Sequence, residues 1–217
     1  MRDEYGEANA LSTIGSIHKE QHEFDLALRN YADARRLFEK TGNTTGMAAV
    51  DNNVAGILNA QGDKSGAMAM LHRALDRHLG LGHAIDAQRV RGNIAMLHFE
   101  MGAIDSALVE GERALREATA DGNRFTAGYA ALVLGKGNAA REHYPLAISF
   151  LDRAITEGEA TGSYYLLSQA YHGRAQVDSA RGDYKSAYES HKRYMAANDS
   201  LYQRREDPEH HAATAHI

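Results

Sequence analysis

The sequence predicts an all-α fold, a solenoid of five stacked helical hairpins. Small residues recur every forty positions, and apolar residues recur between them at helical spacing. The alternation of apolar and polar residues that is typical of strands is absent. A repeat of this length indicates supersecondary units that bury their apolar faces on their neighbours. The small columns are Ala27, Ala67, Ala107, Ala147 and Ala187; Gly15, Ala55, Ala95, Gly135 and Ala175; and Ala34, Ala74, Ala114 and Ala154.

The composition agrees with helices in one elongated domain. The 217 residues include only two prolines, which would break helices, and seven per cent aromatic residues. Because a continuous repeat needs no central core, we expect a single solenoid over residues 1–207 and a disordered tail over 208–217. The predicted repeats are residues 8–47, 48–87, 88–127, 128–167 and 168–207.

The charge and the hydropathy exclude several classes of partner. A formal net charge of −5, with both signs interspersed, gives no basic surface for nucleic acid. No run of apolar residues approaches the length that a membrane span requires, and no secretion signal is present. We therefore expect a cytoplasmic protein without a membrane or nucleic-acid partner. The first repeat begins close to Met1, which leaves open that the chain belongs to a longer protein with a membrane attachment.

The second repeat shows how each hairpin is built. Val50, Val54 and Ile57 recur at helical spacing, Gly62 interrupts the pattern, and Leu71 lies in its continuation. Helix A, the first of each hairpin, is predicted at residues 7–21, 47–61, 87–101, 126–140 and 165–180. Helix B is predicted at residues 24–41, 64–81, 104–121, 144–161 and 184–206.

The small columns and the glycines have a packing cause. Where helix A meets helix B closely, a side chain beyond Cβ would push the backbones apart, so alanine or glycine is required. A glycine after helix B provides the left-handed residue that commonly ends a helix. These glycines, Gly42, Gly82, Gly122 and Gly162, reverse the chain into the next hairpin.

These columns resemble the tetratricopeptide repeat. Each unit has a small residue at its eighth position and alanine at its twentieth, and Gly62-Asp63 and Gly182-Asp183 separate the two helices of their hairpins. Asn52-Asn53 before Val54 is similar to the Asn-Asn-Leu-Gly signature of the forty-residue form of this repeat. That form occurs in kinesin light chains, in Rap-type peptide-sensing regulators, and in arrays attached to bacterial histidine kinases and to diguanylate and adenylate cyclases.

The resemblance implies a right-handed superhelix whose A helices line a concave groove that binds a peptide or protein segment. Asparagine and glutamine carboxamides suit the backbone of an extended peptide, because they donate and accept together. A solvated polar surface is the alternative for any one of them, and their clustering favours binding. Met96, Phe99 and Tyr129 would add an apolar pocket for one side chain. The implied groove residues are Asn9, Asn52, Asn53, Asn59, Arg89, Asn93, Met96, Phe99, Tyr129, Lys136, Gln169, His172 and Gln176.

The sequence contains no motif for catalysis, and we predict neither an enzyme nor a cofactor. A clamp for a terminal carboxylate is not expected either, because Ser12 and Ser16 stand where such arrays carry lysine and asparagine. His18 and His22 have the i, i+4 spacing of metal ligands, but no third ligand lies near them in the sequence, so we predict no metal site. Arg174, four residues before Asp178, predicts an ion pair along one helix.

Aromatic residues gather at the C-terminal end of the chain, and they suggest a second interpretation. Such an end resembles the point where bacterial sensor arrays continue into a kinase or cyclase domain. The alternative function is therefore a regulatory domain of a larger signalling enzyme, which forms a homodimer or docks through its last helix. The residues predicted for this contact are Tyr188, Tyr194, Leu201 and Tyr202.

Overall fold

The computed structural model describes residues 3–206, apart from the side chains of residues 202 and 204–206. These residues form ten α-helices and contain no strand, which confirms the predicted all-α class. The predicted tail over 208–217 lies outside the described residues, as does the side chain of Tyr202. The helices are α1 (Glu4–Glu20), α2 (Phe24–Lys40), α3 (Thr44–Ala60), α4 (Lys64–Gly80), α5 (Ala84–Glu100), α6 (Ile104–Ala120), α7 (Arg124–Ala140), α8 (Tyr144–Thr161), α9 (Tyr164–Ala180) and α10 (Tyr184–Glu206).

The A helices begin earlier than predicted, and their N-caps give the reason. The Asn43 side chain caps α3, where its Oδ1 accepts a hydrogen bond from the backbone N–H of Gly46 at 2.9 Å. Asp3, Asn123 and Ser163 cap α1, α7 and α9 in the same way. A side-chain oxygen at this position satisfies a backbone donor that the first helical turn leaves unpaired. In α3 the cap therefore starts the helix before Met47, its first large apolar residue.

The helix contacts divide the chain into two compact units, Met1–Leu97 and His98–Ile217. In the first unit α1 packs on α2, α2 on α3, and α3 on α4, so that consecutive hairpins stack. Tyr31 and Phe38 of α2 are the large aromatic members of one buried apolar cluster there. In the second unit each helix from α6 to α10 packs on the next, and α7 also contacts α9. A single continuous solenoid over residues 1–207 stays a prediction.

The small columns lie where the helices of a hairpin approach most closely. A Cβ on Gly15 would come within 2.9 Å of the Tyr31 ring, and one on Gly135 within 2.7 Å of the Leu151 side chain. The alanines of the first column up to Ala147 have no exposed surface. The predicted packing cause is therefore confirmed in both units.

The turns contain residues in the left-handed conformation. The four predicted glycines, from Gly42 to Gly162, have φ between +63° and +72°. The turns inside the hairpins need the same conformation, and two of them lack glycine. His22 has φ of 60° and Glu142 has φ of 59°, a conformation that is costly for residues with a side chain.

Two buried aspartates form ion pairs, Asp178 within one helix and Asp51 between helices. Arg174 donates through Nε to Asp178 Oδ2 at 3.0 Å, as predicted, and also bonds to Asp152 of α8. In the first unit Asp51 of α3 is 1% exposed and contacts three arginines, a cluster that the sequence analysis did not predict. Arg35 lies on α2, and Arg73 and Arg77 lie on α4.

Among residues 3–206, no helix is both long and apolar enough to cross a membrane.

Candidate functional site

The A helices of the first unit carry a row of paired polar side chains. Lys19 of α1 donates through Nζ to Asn53 Oδ1 at 2.8 Å. Asn93 of α5 donates through Nδ2 to Asn52 Oδ1 at 2.9 Å. The asparagine pair of α3 therefore bonds to the A helices on both of its sides. We call Lys19, Asn52, Asn53 and Asn93 the asparagine row.

The asparagine row is half-buried and retains hydrogen-bonding groups. Its two bonds use the side-chain oxygens of Asn52 and Asn53, whereas each carboxamide also has an NH₂ group with two donors. Burial lowers the pKa of Lys19, and the nearby Glu20 carboxylate opposes that shift. The row thus combines preorganised amides with a cation on one face of the unit.

The other predicted groove residues of the first unit have different environments. Asn9 is exposed and Asn59 is half-buried. Arg89 is exposed and bonds to Asp86 Oδ1 at 2.9 Å. Met96 is only 8% exposed, so it packs in the interior and does not offer the pocket surface that the sequence analysis expected. The asparagines, and not Met96, therefore form the accessible part of this face.

The second unit contains a cavity of about 650 Å³, and five predicted groove residues line it. Because α7 and α9 pack together, Lys136 of α7 and Gln169 of α9 reach the same space. The remaining wall combines aromatic and small apolar residues. We call this space the α7–α9 cavity, and its lining is Phe99, Lys136, Ala139, Ala140, Tyr144, Leu151, Gln169, His172, Gly173, Gln176, Val177, Ala180 and Tyr194.

The polar groups of the α7–α9 cavity bond to one another and are partly desolvated. Lys136 donates through Nζ to Gln169 Oε1 at 3.0 Å. Burial lowers the pKa of Lys136, against the opposing effect of the Glu100 carboxylate. Burial also lowers the pKa of His172, and electrostatic interactions with Lys136 and His191 lower it further. The cavity therefore combines the Lys136 amine, the His172 imidazole and two carboxamides with apolar surface.

Two predicted aromatic residues lie elsewhere than expected. Tyr194, assigned to self-association from the sequence, lines the cavity, where its ring centroid is 4.9 Å from that of His172. Tyr129 does not line the cavity and pairs with Tyr165 at a centroid separation of 6.5 Å. Burial raises the pKa of Tyr129 far above its ordinary value. Tyr194 thus joins the cavity, and Tyr129 packs against Tyr165.

The predicted contact residues of α10 are partly exposed. Tyr188 is 62% exposed and the neighbouring Tyr184 is 73% exposed. The Lys192 ammonium lies 5.5 Å from the centroid of the Tyr188 ring. Leu201 is half-buried, and the side chain of Tyr202 lies outside the described residues. An aromatic surface is therefore present on the first turns of α10.

The histidines considered for metal binding have other partners. His18 bonds through Nδ1 to Glu23 Oε2 at 2.6 Å, and the His22 ring meets the edge of Phe24. Within residues 3–206, a different group of possible ligands lies close together, namely His78, His83 and Asp86. Helical spacing does not predict this group, because a turn brings the three side chains together.

The sequence of one repeat matches a known family. Residues 52–83, which include most of α3 and all of α4, match the family model of the tetratricopeptide repeat. This segment therefore contains a tetratricopeptide repeat. No curated protein sequence matches this chain.

Solved structures share the fold at low sequence identity. Aspartyl phosphate phosphatase F from Bacillus subtilis has a TM-score of 0.72 and 18% identity; the match covers 86% of this chain and 49% of the phosphatase. A Rap protein complexed with competence and sporulation factor has a TM-score of 0.68 and 17% identity, over 94% and 67% of the two chains. A putative kinesin light chain from Podospora anserina, with nearly identical repeats, has a TM-score of 0.67 and 12% identity, over 94% and 99%. The chain thus spans about half of the phosphatase.

Proposed function

We propose that this tetratricopeptide-repeat protein binds an extended peptide or protein segment, and that the α7–α9 cavity holds an anchoring side chain of that segment. The cavity is the observation that carries the proposal. Its volume of about 650 Å³ is within the range of ligand sites in proteins. Phe99, Tyr144 and Leu151 offer apolar surface, and Lys136 offers a charged donor.

The polar groups of the cavity suit a peptide backbone. Gln169 and Gln176 lie on the same face of α9, two helical turns apart, and both line the cavity. Each carboxamide can accept from a backbone N–H and donate to a backbone carbonyl, at about 0.5–1.5 kcal/mol net per hydrogen bond. The ligand would therefore be held through its backbone and selected through one side chain.

The asparagine row supports a second contact surface in the first unit. Preorganised amides lose less rotamer freedom on binding than flexible ones, because neighbouring helices already hold them. Asn53 and Asn93 are each fixed by an interhelix hydrogen bond. We assign the row the same kind of ligand, a main chain in extended conformation, independently of the cavity.

The relatives support a protein-binding scaffold. Two Rap proteins similar in fold to this chain have structures with a bound factor, one with competence and sporulation factor and one with the Phr* peptide. The tetratricopeptide-repeat fold is generally non-catalytic, which supports a binding role without an enzymatic step in this chain. The partner class proposed here is accordingly a peptide or protein segment.

A peptide selection with matched variants tests this function. A random dodecamer display library is selected on the wild-type chain, and the enriched peptide is then measured by calorimetry. Gln169→Ala combined with Gln176→Ala should weaken binding by about ten-fold or more, because two hydrogen bonds to the ligand are lost. Lys185→Ala lies outside the cavity lining and serves as the control, with unchanged affinity. Equal affinity in the cavity variant would contradict the assignment.

The exposed aromatic surface of α10 favours a second candidate function, a regulatory domain that pairs or docks through this helix. Tyr184 and Tyr188 are more than half exposed, and Met195 is 45% exposed. Exposed apolar surface of this kind marks interaction sites. Light scattering on the wild type and on Tyr184→Ser with Tyr188→Ser tests it. A dimer mass that falls to the monomer mass in the variant supports the second candidate, and a monomer in both chains argues against self-association.

A further inference from the structure

The turn between α4 and α5 brings three metal-ligand side chains together in the first unit. His78 lies in the last turn of α4, His83 lies in the connecting turn, and Asp86 lies in the first turn of α5. One possible ligand atom from each lies within 4.8 Å of the others. The His78 Nδ1 atom is 4.0 Å from Asp86 Oδ2.

His78 is the unusual member of this group. Its side chain is buried, and neither ring nitrogen has a hydrogen-bond partner among the described residues. The equivalent position of the preceding repeat is Phe38, which is also buried. An apolar ring thus satisfies the packing there, whereas an imidazole leaves polar nitrogens unpaired, at about 1–3 kcal/mol for each buried group. A ligand bound to Nδ1 would provide the missing partner.

The backbone holds the three residues in a defined arrangement. The His83 N–H donates to the His78 carbonyl oxygen at 2.9 Å, and Gly82 between them has φ of +72°. The Ala87 N–H donates to the His83 carbonyl oxygen at 3.0 Å, so that the hydrogen-bonded backbone of the turn continues into α5. Arg89 binds Asp86 Oδ1 at 2.9 Å, while Oδ2 of the same carboxylate is on the side of His78. Such an outer partner is typical of the carboxylates that bind metal ions.

We propose that His78, His83 and Asp86 bind a zinc ion. Two imidazoles and a carboxylate are ligands that Zn²⁺ accepts, with a water molecule as the fourth ligand. Magnesium and calcium prefer oxygen ligands and are not expected here. Tetrahedral zinc with bonds of about 2.0–2.1 Å places its ligands about 3.3 Å apart. Rotation of His83 and Asp86, which are both partly exposed, would close the remaining distance.

The ion would link two successive hairpins. His78 belongs to the end of one hairpin and Asp86 to the beginning of the next, so that zinc would fix the connecting turn. Binding to the folded chain alone stabilises it by mass action. Zinc would therefore stabilise the turn between the two hairpins.

Calorimetry on the full chain tests the zinc site. Zinc chloride is titrated into metal-free protein in which His210, His211 and His216 are replaced by glutamine, so that these histidines do not contribute. We expect one equivalent of zinc and a higher melting temperature. Loss of an outer partner typically costs ten- to hundred-fold in metal affinity, so His83→Gln and Asp86→Asn, which remove direct ligands, should each cost about hundred-fold or more.

His72→Gln provides the control, because His72 is an exposed residue of α4 outside the group. This variant should keep both the affinity and the rise in melting temperature. Absence of zinc uptake by the parent chain would overturn the proposal. Equal uptake by the parent and by His83→Gln would also overturn it, because the ion would then be bound elsewhere.

Discussion

Among single residues, Asp51 shows how burial changes the contribution of an ion pair to the stability of the fold. Its carboxylate accepts from Arg73 and Arg77 of α4, and Arg35 of α2 lies 3.5 Å away. A buried carboxylate with three cations links α3 to both neighbouring helices. Exposed pairs contribute far less, because water screens them and their side chains lose entropy. Asp33 with Arg36 is such an exposed pair.

We predict that Asp51→Asn lowers the free energy of unfolding by about 2–3 kcal/mol. The variant leaves three arginines close together without the buried carboxylate, and partial access of water to them keeps the loss below that of a fully buried pair. Asp33→Asn should change it by less than about 0.5 kcal/mol. Urea unfolding followed by circular dichroism measures both variants. Equal losses of unfolding free energy in the two variants would show that burial does not strengthen the ion pairs of Asp51.

We predict that His172 titrates below the ordinary histidine pKa and that Lys136→Gln raises its pKa. The variant removes a positive charge that disfavours the imidazolium, although burial remains the larger cause. Since the folded state binds this proton more weakly than the unfolded state, the His172 contribution to stability is lost as pH falls below about 6.5. Imidazole NMR titration measures the pKa. Lys185→Gln should leave it unchanged, and a similar rise in both variants would contradict the shared cavity.

Residues that bond across helices were only partly predictable. The sequence indicated Asn52, Asn53 and Asn93 through their repeat positions, and the structure brings them together in one row. Asp51 and His78 were missed, because each looks like an ordinary polar residue of an amphipathic helix. Their burial depends on which neighbouring helices cover them, and that contact is not encoded in local spacing.

At the scale of elements, the turns decide where helices stop. The B helices agree closely with the prediction, because glycine ends each of the first four. The A helices differ because the sequence analysis placed α3 at its first large apolar residue and overlooked the cap at Asn43. Apolar periodicity locates the buried face of a helix, whereas capping chemistry sets its first residue.

We predict that Glu142→Gly stabilises the chain by about 0.5–1 kcal/mol. Glu142 has φ of 59°, and glycine adopts this conformation without the steric cost of a side chain. The relief of this strain in the folded chain outweighs the larger conformational entropy of glycine in the unfolded chain. Gly102→Ala is the reverse experiment at the equivalent turn, where φ is 76°, and it should destabilise by about 1–2 kcal/mol. Chemical unfolding measures the free energy of unfolding of both variants and of the wild type. A loss of stability in Glu142→Gly would refute the account of these turns.

At the scale of the whole molecule, the forty-residue period predicted the class of fold, the pairing of helices and the packing columns. It did not predict the division into two compact units at Leu97 and His98. It also did not predict the α7–α9 cavity, because a cavity depends on side chains from five helices, including Phe99 and Tyr194. Repetition thus specifies the scaffold, and departures from repetition create the site.

Photo-crosslinking shows whether the α7–α9 cavity captures a peptide. Benzoylphenylalanine replaces Ala180 in one chain and Lys185 in another, and each is irradiated with the selected dodecamer. Ala180 is an exposed residue of the cavity lining, and Lys185 does not line the cavity. We expect mass spectrometry to find the peptide attached at position 180 and not at position 185. Attachment at 185 with none at 180 would contradict peptide capture in the cavity.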